Sequence, residues 1–166
     1  MLDIMKDPYL LFDEEMLNYY NFEMSNITRV DDRYIYVVNF SQKPEVKEPL
    51  YYGKLYIDTE SLAITSAAFN MNLNDREEAA RLFIRRKPAG ARVYPTEASY
   101  LVNYREQDGR WYFGYSRGQV AFRVNWRRRL FNTNYYTTME IAVTDWEATE
   151  ERPYRASDRL KMNVIM

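Results

Sequence analysis

Between residues 19 and 146 the chain repeatedly alternates apolar and polar side chains, and this period of two constrains its fold more than any other feature. Tyr20, Phe22 and Met24 interleave with Asn21, Glu23 and Ser25, which describes a half-buried strand. After a turn at Asp31-Asp32, residues 33–41 are dense in Tyr, Ile, Val and Phe, so a hairpin follows. Residues 43–49 are polar and bracketed by Pro44 and Pro49, the composition of a surface loop. Residues 50–58 alternate again. In residues 63–73, Ala67, Phe69, Met71 and Leu73 share one face.

The period then changes. Asn74 or Asp75 followed by Glu77 and Glu78 is a helix start, and Ala79, Leu82 and Phe83 recur at helical spacing before Arg85, Arg86 and Lys87 close the segment. Asp108-Gly109 lies between alternating runs at 97–107 and 111–116, which predicts a tight hairpin. Two more strands are expected at 119–130 and 135–146. Asp7-Pro8 predicts a short helix running through Leu11, Phe12 and Glu15 toward Leu17, so residues 1–18 form a helical lead-in. Residues 148–166 read as a poorly anchored tail. The expected architecture is a single mainly β (α+β) domain over residues 1–166. Its core is a half-barrel-like, curved antiparallel meander of about eight strands, covered by one or two helices.

A length of 166 residues suits one hydrophobic core. The aromatic fraction of 16% rests mainly on 16 tyrosines, whose rings and wet hydroxyls suit half-exposed sheet faces. The absence of cysteine and histidine removes thiol chemistry, histidine triads, histidine-held zinc and any side chain that titrates near neutrality unperturbed. The scattered glycines make no phosphate loop, and no cofactor is expected. Carboxylate chemistry survives, with Asp58 and Glu60, Asp145 and Glu147, or Glu97 as candidates for a glycoside hydrolase. Acids at strand ends are more often turn formers.

Charge is unevenly spread. Residues 1–32 carry eight acidic and two basic side chains, whereas residues 111–139 carry five arginines and no acid. Arg123, Arg127 and Arg129, beside Tyr112 and Tyr136, form one candidate binding face, basic and aromatic. Phe69, Met71, Trp126 and Met139 form the other, an apolar groove on the concave side of the sheet. The isoelectric point of about 5.7 argues against nucleic acid as a partner. No segment reaches the length of a membrane span, and the first residues lack the pattern of a signal peptide.

Three segments together, Tyr20-Asn21-Phe22-Glu23-Met24, Tyr34-Ile35-Tyr36-Val37-Val38-Asn39-Phe40 and Gly53-Lys54-Leu55-Tyr56-Ile57-Asp58 with Ala63-Ile64 beyond, resemble a pattern in Bacteroidetes envelope proteins. These are the carboxypeptidase-like regulatory domain-containing proteins, and the resemblance covers residues 20–115. It implies the β-rich region that follows the regulatory sandwich of a larger exported protein, periplasmic or outer-membrane-associated. The strand order also looks similar to that of lipoprotein-carrier half-barrels, in shape alone. The leading expectation is therefore a non-catalytic envelope domain that binds a protein partner or has a structural role. The alternatives are a binder of lipid, another apolar ligand or a glycan, and the carboxylate glycosidase.

Overall fold

A computed structural model describes residues 3–5, 11, 13–127 and 131–147. Its elements are α1 (Glu14–Leu17), β1 (Tyr20–Val30), β2 (Arg33–Gln42), β3 (Tyr51–Asp58), β4 (Ile64–Met71), α2 (Arg76–Phe83), β5 (Ala91–Gln107), β6 (Arg110–Trp126) and β7 (Thr133–Ala142). The strands form one open antiparallel sheet in sequence order, with β1 and β7 at its edges. The mainly β fold class read from the alternation is the one observed.

Among the described residues there are seven strands where about eight were expected, because the run at 111–116 and the one starting at 119 join in a single strand that ends at Trp126. Gly114 and Gly118 both lie within this strand. Gly114 is the extra residue at a register shift opposite Asn103 and Tyr104, with the Arg105 side chain over it. Gly118 lies under the ring of Tyr100. The paired strand, β5, starts earlier than its apolar pattern suggested, because it continues through Pro95. β4 pairs only with residues 99–103 of β5, so the earlier half has no strand on that side and a proline costs no hydrogen bond there.

At the amino terminus, α1 is a single turn starting after Asp13, shorter than the helix expected from Asp7-Pro8. Residues 6–10 and 12 lie outside the described residues, as do Arg129 and the tail at 148–166.

Directly paired residues share a face of a sheet, so the register sorts the side chains into two sets. One face is packed. Tyr20, Phe40, Leu55, Ala67, Phe69, Val102 and Tyr104 form its core with Ile4 and Leu11, and Met16 packs against it. One row of partners crosses all seven strands: Phe22, Phe40, Gly53, Phe69, Tyr100, Gly118 and Met139. The rings of Phe22 and Phe40 stack at 6.2 Å and those of Phe69 and Tyr100 at 5.3 Å. Gly53 makes room. A Cβ on Gly53 would fall 2.2 Å from the Ala68 carbonyl and 2.6 Å from Phe69 Cα, so Phe40 and Phe69 can face each other across that strand only because it lacks one.

The amino-terminal segment is fastened to this face by Tyr104. Its hydroxyl donates to Asp3 Oδ1 (2.9 Å) and accepts from the Met5 amide (3.1 Å). α2 guards the exposed half of β5. Asp75 caps it by accepting from the amides of Glu77 and Glu78, Ala79 is fully buried, and Phe83 meets Phe122 edge-on at 6.0 Å.

Candidate functional site

The other face of the sheet is buried at Ile35 and Val37 but carries a groove further along the strands. Two rows of side chains cross this face, one made by Asn39, Lys54, Ala68, Leu101 and Arg117, the next by Ser41, Tyr52, Asn70, Ser99 and Gln119. Between them runs a depression of about 660 Å³, directly behind the aromatic row of the packed face. Adjacent strands lie about 4.8 Å apart, and the two rows, two residues apart on each strand, are separated by about 7 Å. The result is a groove perpendicular to the strands.

The second row is uncharged along its whole length. Extended to the edge strands it reads Asn21, Ser41, Tyr52, Asn70, Ser99, Gln119 and Thr138, all amides or hydroxyls. Gln119 donates to Thr138 at 3.4 Å and Ser99 to Glu97 at 3.2 Å. Among the described residues, the side chains of Ser41, Tyr52 and Asn70 make no hydrogen bond, and Tyr52 is exposed. At the β6 end, Arg117 Nε is buried without a hydrogen-bond acceptor, with Glu140 3.6 Å away.

A second depression, of about 730 Å³, lies at the hairpin ends and is lined from both faces, by Ile35, Ser66 and Asn103 and by Tyr104 and Trp111. There Arg33 joins Asp58 (3.5 Å) to Glu106 (3.3 Å) and lies over the Trp111 ring, whose Nε1 donates to Ser61. This cluster holds three hairpins together. It also explains Asp58, whose buried carboxylate accepts from the amide and hydroxyl of Ser61 in a turn where Leu62 has a positive φ. Those bonds, with Arg33 beside it, hold the Asp58 carboxyl below the usual carboxylate range. The other carboxylates considered for catalysis are elsewhere. Glu60 is exposed in the adjoining turn, Glu97 is exposed on β5, and Asp145 and Glu147 follow β7.

The apolar set lies on the packed face and is not brought together in one groove, since Phe69, Met71 and Trp126 border three separate depressions. Phe69 and Met71 are buried, Phe69 in the core cluster, while Met139 is 54% exposed on the edge strand and Trp126 ends β6. A large side chain read as groove-lining is here the filling between the sheet and its cover.

The basic and aromatic set is divided. Tyr112 stands beside Trp146 (5.4 Å), and Arg123 is eleven positions further along the same strand, about 36 Å at strand rise. Arg123 donates to Asn134 (3.2 Å), one strand-step from the exposed Tyr136, and Arg127 is exposed just past the strand end. Arg129 falls outside the described residues. The hydrogen-bonding row was missed because its members sit on five different strands. Alternation tells which side chains share a face, but only register tells which stand abreast.

No helix among the described residues is long and apolar enough to cross a membrane. No family model, curated protein or solved structure matches this chain.

Proposed function

We propose that this chain is a non-catalytic binding domain of the cell envelope, part of a larger exported outer-membrane-associated protein, and that its open face binds a neutral polyhydroxylated chain, a glycan. The observation that carries this reading is the uncharged row across the sheet. A glycan offers hydroxyls that both donate and accept, and ring faces that stack on an aromatic side chain. Ser41, Asn70, Ser99 and Gln119 supply the first kind of partner and Tyr52 the second. A depression of about 660 Å³ is of the size that holds a small ligand. The resemblance of residues 20–115 to Bacteroidetes envelope proteins supports the location.

The test is retention on immobilised neutral oligosaccharides compared with charged ones. Wild-type protein is expected to be retained by at least one neutral glycan, and Tyr52→Ala with Asn70→Ala to weaken retention about tenfold or more, as loss of a stacking ring and a hydrogen bond implies. Equal retention of the double variant would refute the site. Recovery of the native gene product in the cytoplasmic fraction would refute the location.

A further inference from the structure

We propose that the cleft between α2 and β5 binds a phosphorylated polyol. This cleft is separate from the open-face groove, and the inference does not rest on the glycan reading. Its volume is about 630 Å³, and Arg76, Arg81, Arg85, Arg86, Lys87 and Arg92 line it with Glu77 as the one carboxylate. In a chain of net charge −1, six cations around one depression are not a consequence of composition. Nor are they neutralised in place. Arg81 pairs with Glu78, while Arg85, Arg86, Lys87 and Arg92 form no ion pair among the described residues.

Arg76 lies over the ring of Tyr94 at 5.2 Å, and Arg123 is the register partner of Tyr94 on β6. Arg76 and Arg123, far apart in the chain, thus converge on one ring. A hydrogen bond from Asn125, with Arg123 and Arg76 close by, holds the Tyr94 phenol below its ordinary range, as a positive field does. Guanidinium groups bind phosphate oxygens bidentately, and several around one site favour a phosphate over a neutral ligand.

Asn125 supplies the second half of the specificity. It is the partner of Arg92 in the register and lines the same cleft. Its Nδ2 donates toward the Tyr94 hydroxyl at 3.5 Å, whereas its Oδ1 is buried with no donor. A buried carbonyl oxygen is costly without a donor, and phosphate oxygens cannot provide one. A ligand hydroxyl can, once the Asn125 amide turns its oxygen into the cleft. Cations outside and an unmatched acceptor inside call for phosphate and hydroxyl on one molecule, either a free sugar phosphate or the phosphoglycerol headgroup of a lipid.

Calorimetric titration at low salt with fructose bisphosphate and with inorganic tripolyphosphate, beside co-sedimentation with phosphatidylglycerol or phosphatidylcholine vesicles, tests this and separates the two sources. Binding of fructose bisphosphate is expected, weakened about tenfold or more by Arg85→Gln with Arg86→Gln and weakened by added salt. Asn125→Leu should weaken the bisphosphate and leave tripolyphosphate unchanged. Arginine-dependent binding of phosphatidylglycerol vesicles alone would assign the same chemistry to a headgroup. The proposal fails if neither probe binds, or if binding survives the double arginine variant. It also fails if tripolyphosphate binds as tightly as the bisphosphate, or if a single-stranded oligonucleotide displaces it at lower concentration. Both arginines are exposed, so that variant keeps the fold, and unchanged glycan retention by it separates this site from the open face.

Discussion

The two faces of this sheet are made by alternate residues of the same strands, yet one is a sealed core and the other a hydrogen-bonding surface. On the packed face, rings stand abreast across the strands, Gly53 admits them where a Cβ would collide, and the amino-terminal segment packs against the core. On the open face the same register aligns amides and hydroxyls along a groove. One alternation serves both purposes because a pleated strand sends neighbouring side chains in opposite directions. The difference teaches that substitutions one residue apart should have unlike consequences, stability on one side and binding on the other.

The sharpest way to break the comparison is Phe69→Ala. Phe69 touches Phe40, Tyr51 and Tyr100 and is about as buried as any residue in the chain. Its removal should cost about 4 kcal/mol by chemical denaturation, the range for a buried aromatic that leaves a cavity. Ala68→Ser, one position away and facing the groove, should change stability by less than about 0.5 kcal/mol. Similar losses for the two would mean that the faces are not energetically distinct.

Next come the two glycines of the aromatic row. Gly53→Ala drives a Cβ into the backbone of β4 and should cost about 3 kcal/mol, because backbone cannot yield as a side-chain tip can. Gly118→Ala places its Cβ 3.6 Å from the Tyr100 ring, an ordinary contact, and should stay within about 0.5 kcal/mol of wild type. A cost for Gly118→Ala equal to that of Gly53→Ala would show that Tyr100 is held more rigidly than its contacts imply.

These residues also mark what could be read from the chain. The alternation of Tyr20, Phe22 and Met24, the acid-rich start of α2 and the Asp108-Gly109 turn each act over a few residues, and all three elements were legible. Gly114, Gly118 and Pro95 were not, because their reasons lie on neighbouring strands: a register shift, a tyrosine ring and a missing strand partner. The placement of the candidate site residues was hidden on the same ground. Phe69 and Met71 carry the composition of an apolar groove, and only the placement of Ile4 and Leu11 over the core shows that the space is filled.

The pH limits of stability separate the packed face from the hairpin ends. Burial pushes the Tyr51 phenol up to about 12, and Tyr104 and Tyr100 are raised for the same reason. Their neutral forms are favoured in the folded protein, so this contribution is complete below the unfolded value of about 10 and is lost as pH rises through the folded values. Thermal melts should fall above pH about 10, and Tyr51→Phe should flatten that limb. Asp58 acts in the opposite direction. Its carboxyl is depressed, so its contribution is present above the unfolded value of about 3.9 and lost as pH falls through the folded one. Asp58→Asn should flatten the acid limb alone, and an unchanged acid limb would remove Asp58 from the account of the hairpin-end cluster.

The smallest effect on stability belongs to the open face, and it is the most informative about function. Asn70→Ala and Gln119→Ala delete side chains that face the groove, and Asn70 makes no hydrogen bond among the described residues. Each should change stability by less than about 0.5 kcal/mol. Side chains kept in register across five strands for folding alone would behave otherwise, since cross-strand pairs contribute up to about 1 kcal/mol each. A double-mutant cycle between Asn70 and its partner Ser99 distinguishes the two. A coupling near zero in the unliganded protein, together with a weaker hold on a neutral glycan, assigns the row to binding. A coupling near 1 kcal/mol with unaltered retention assigns it to the sheet.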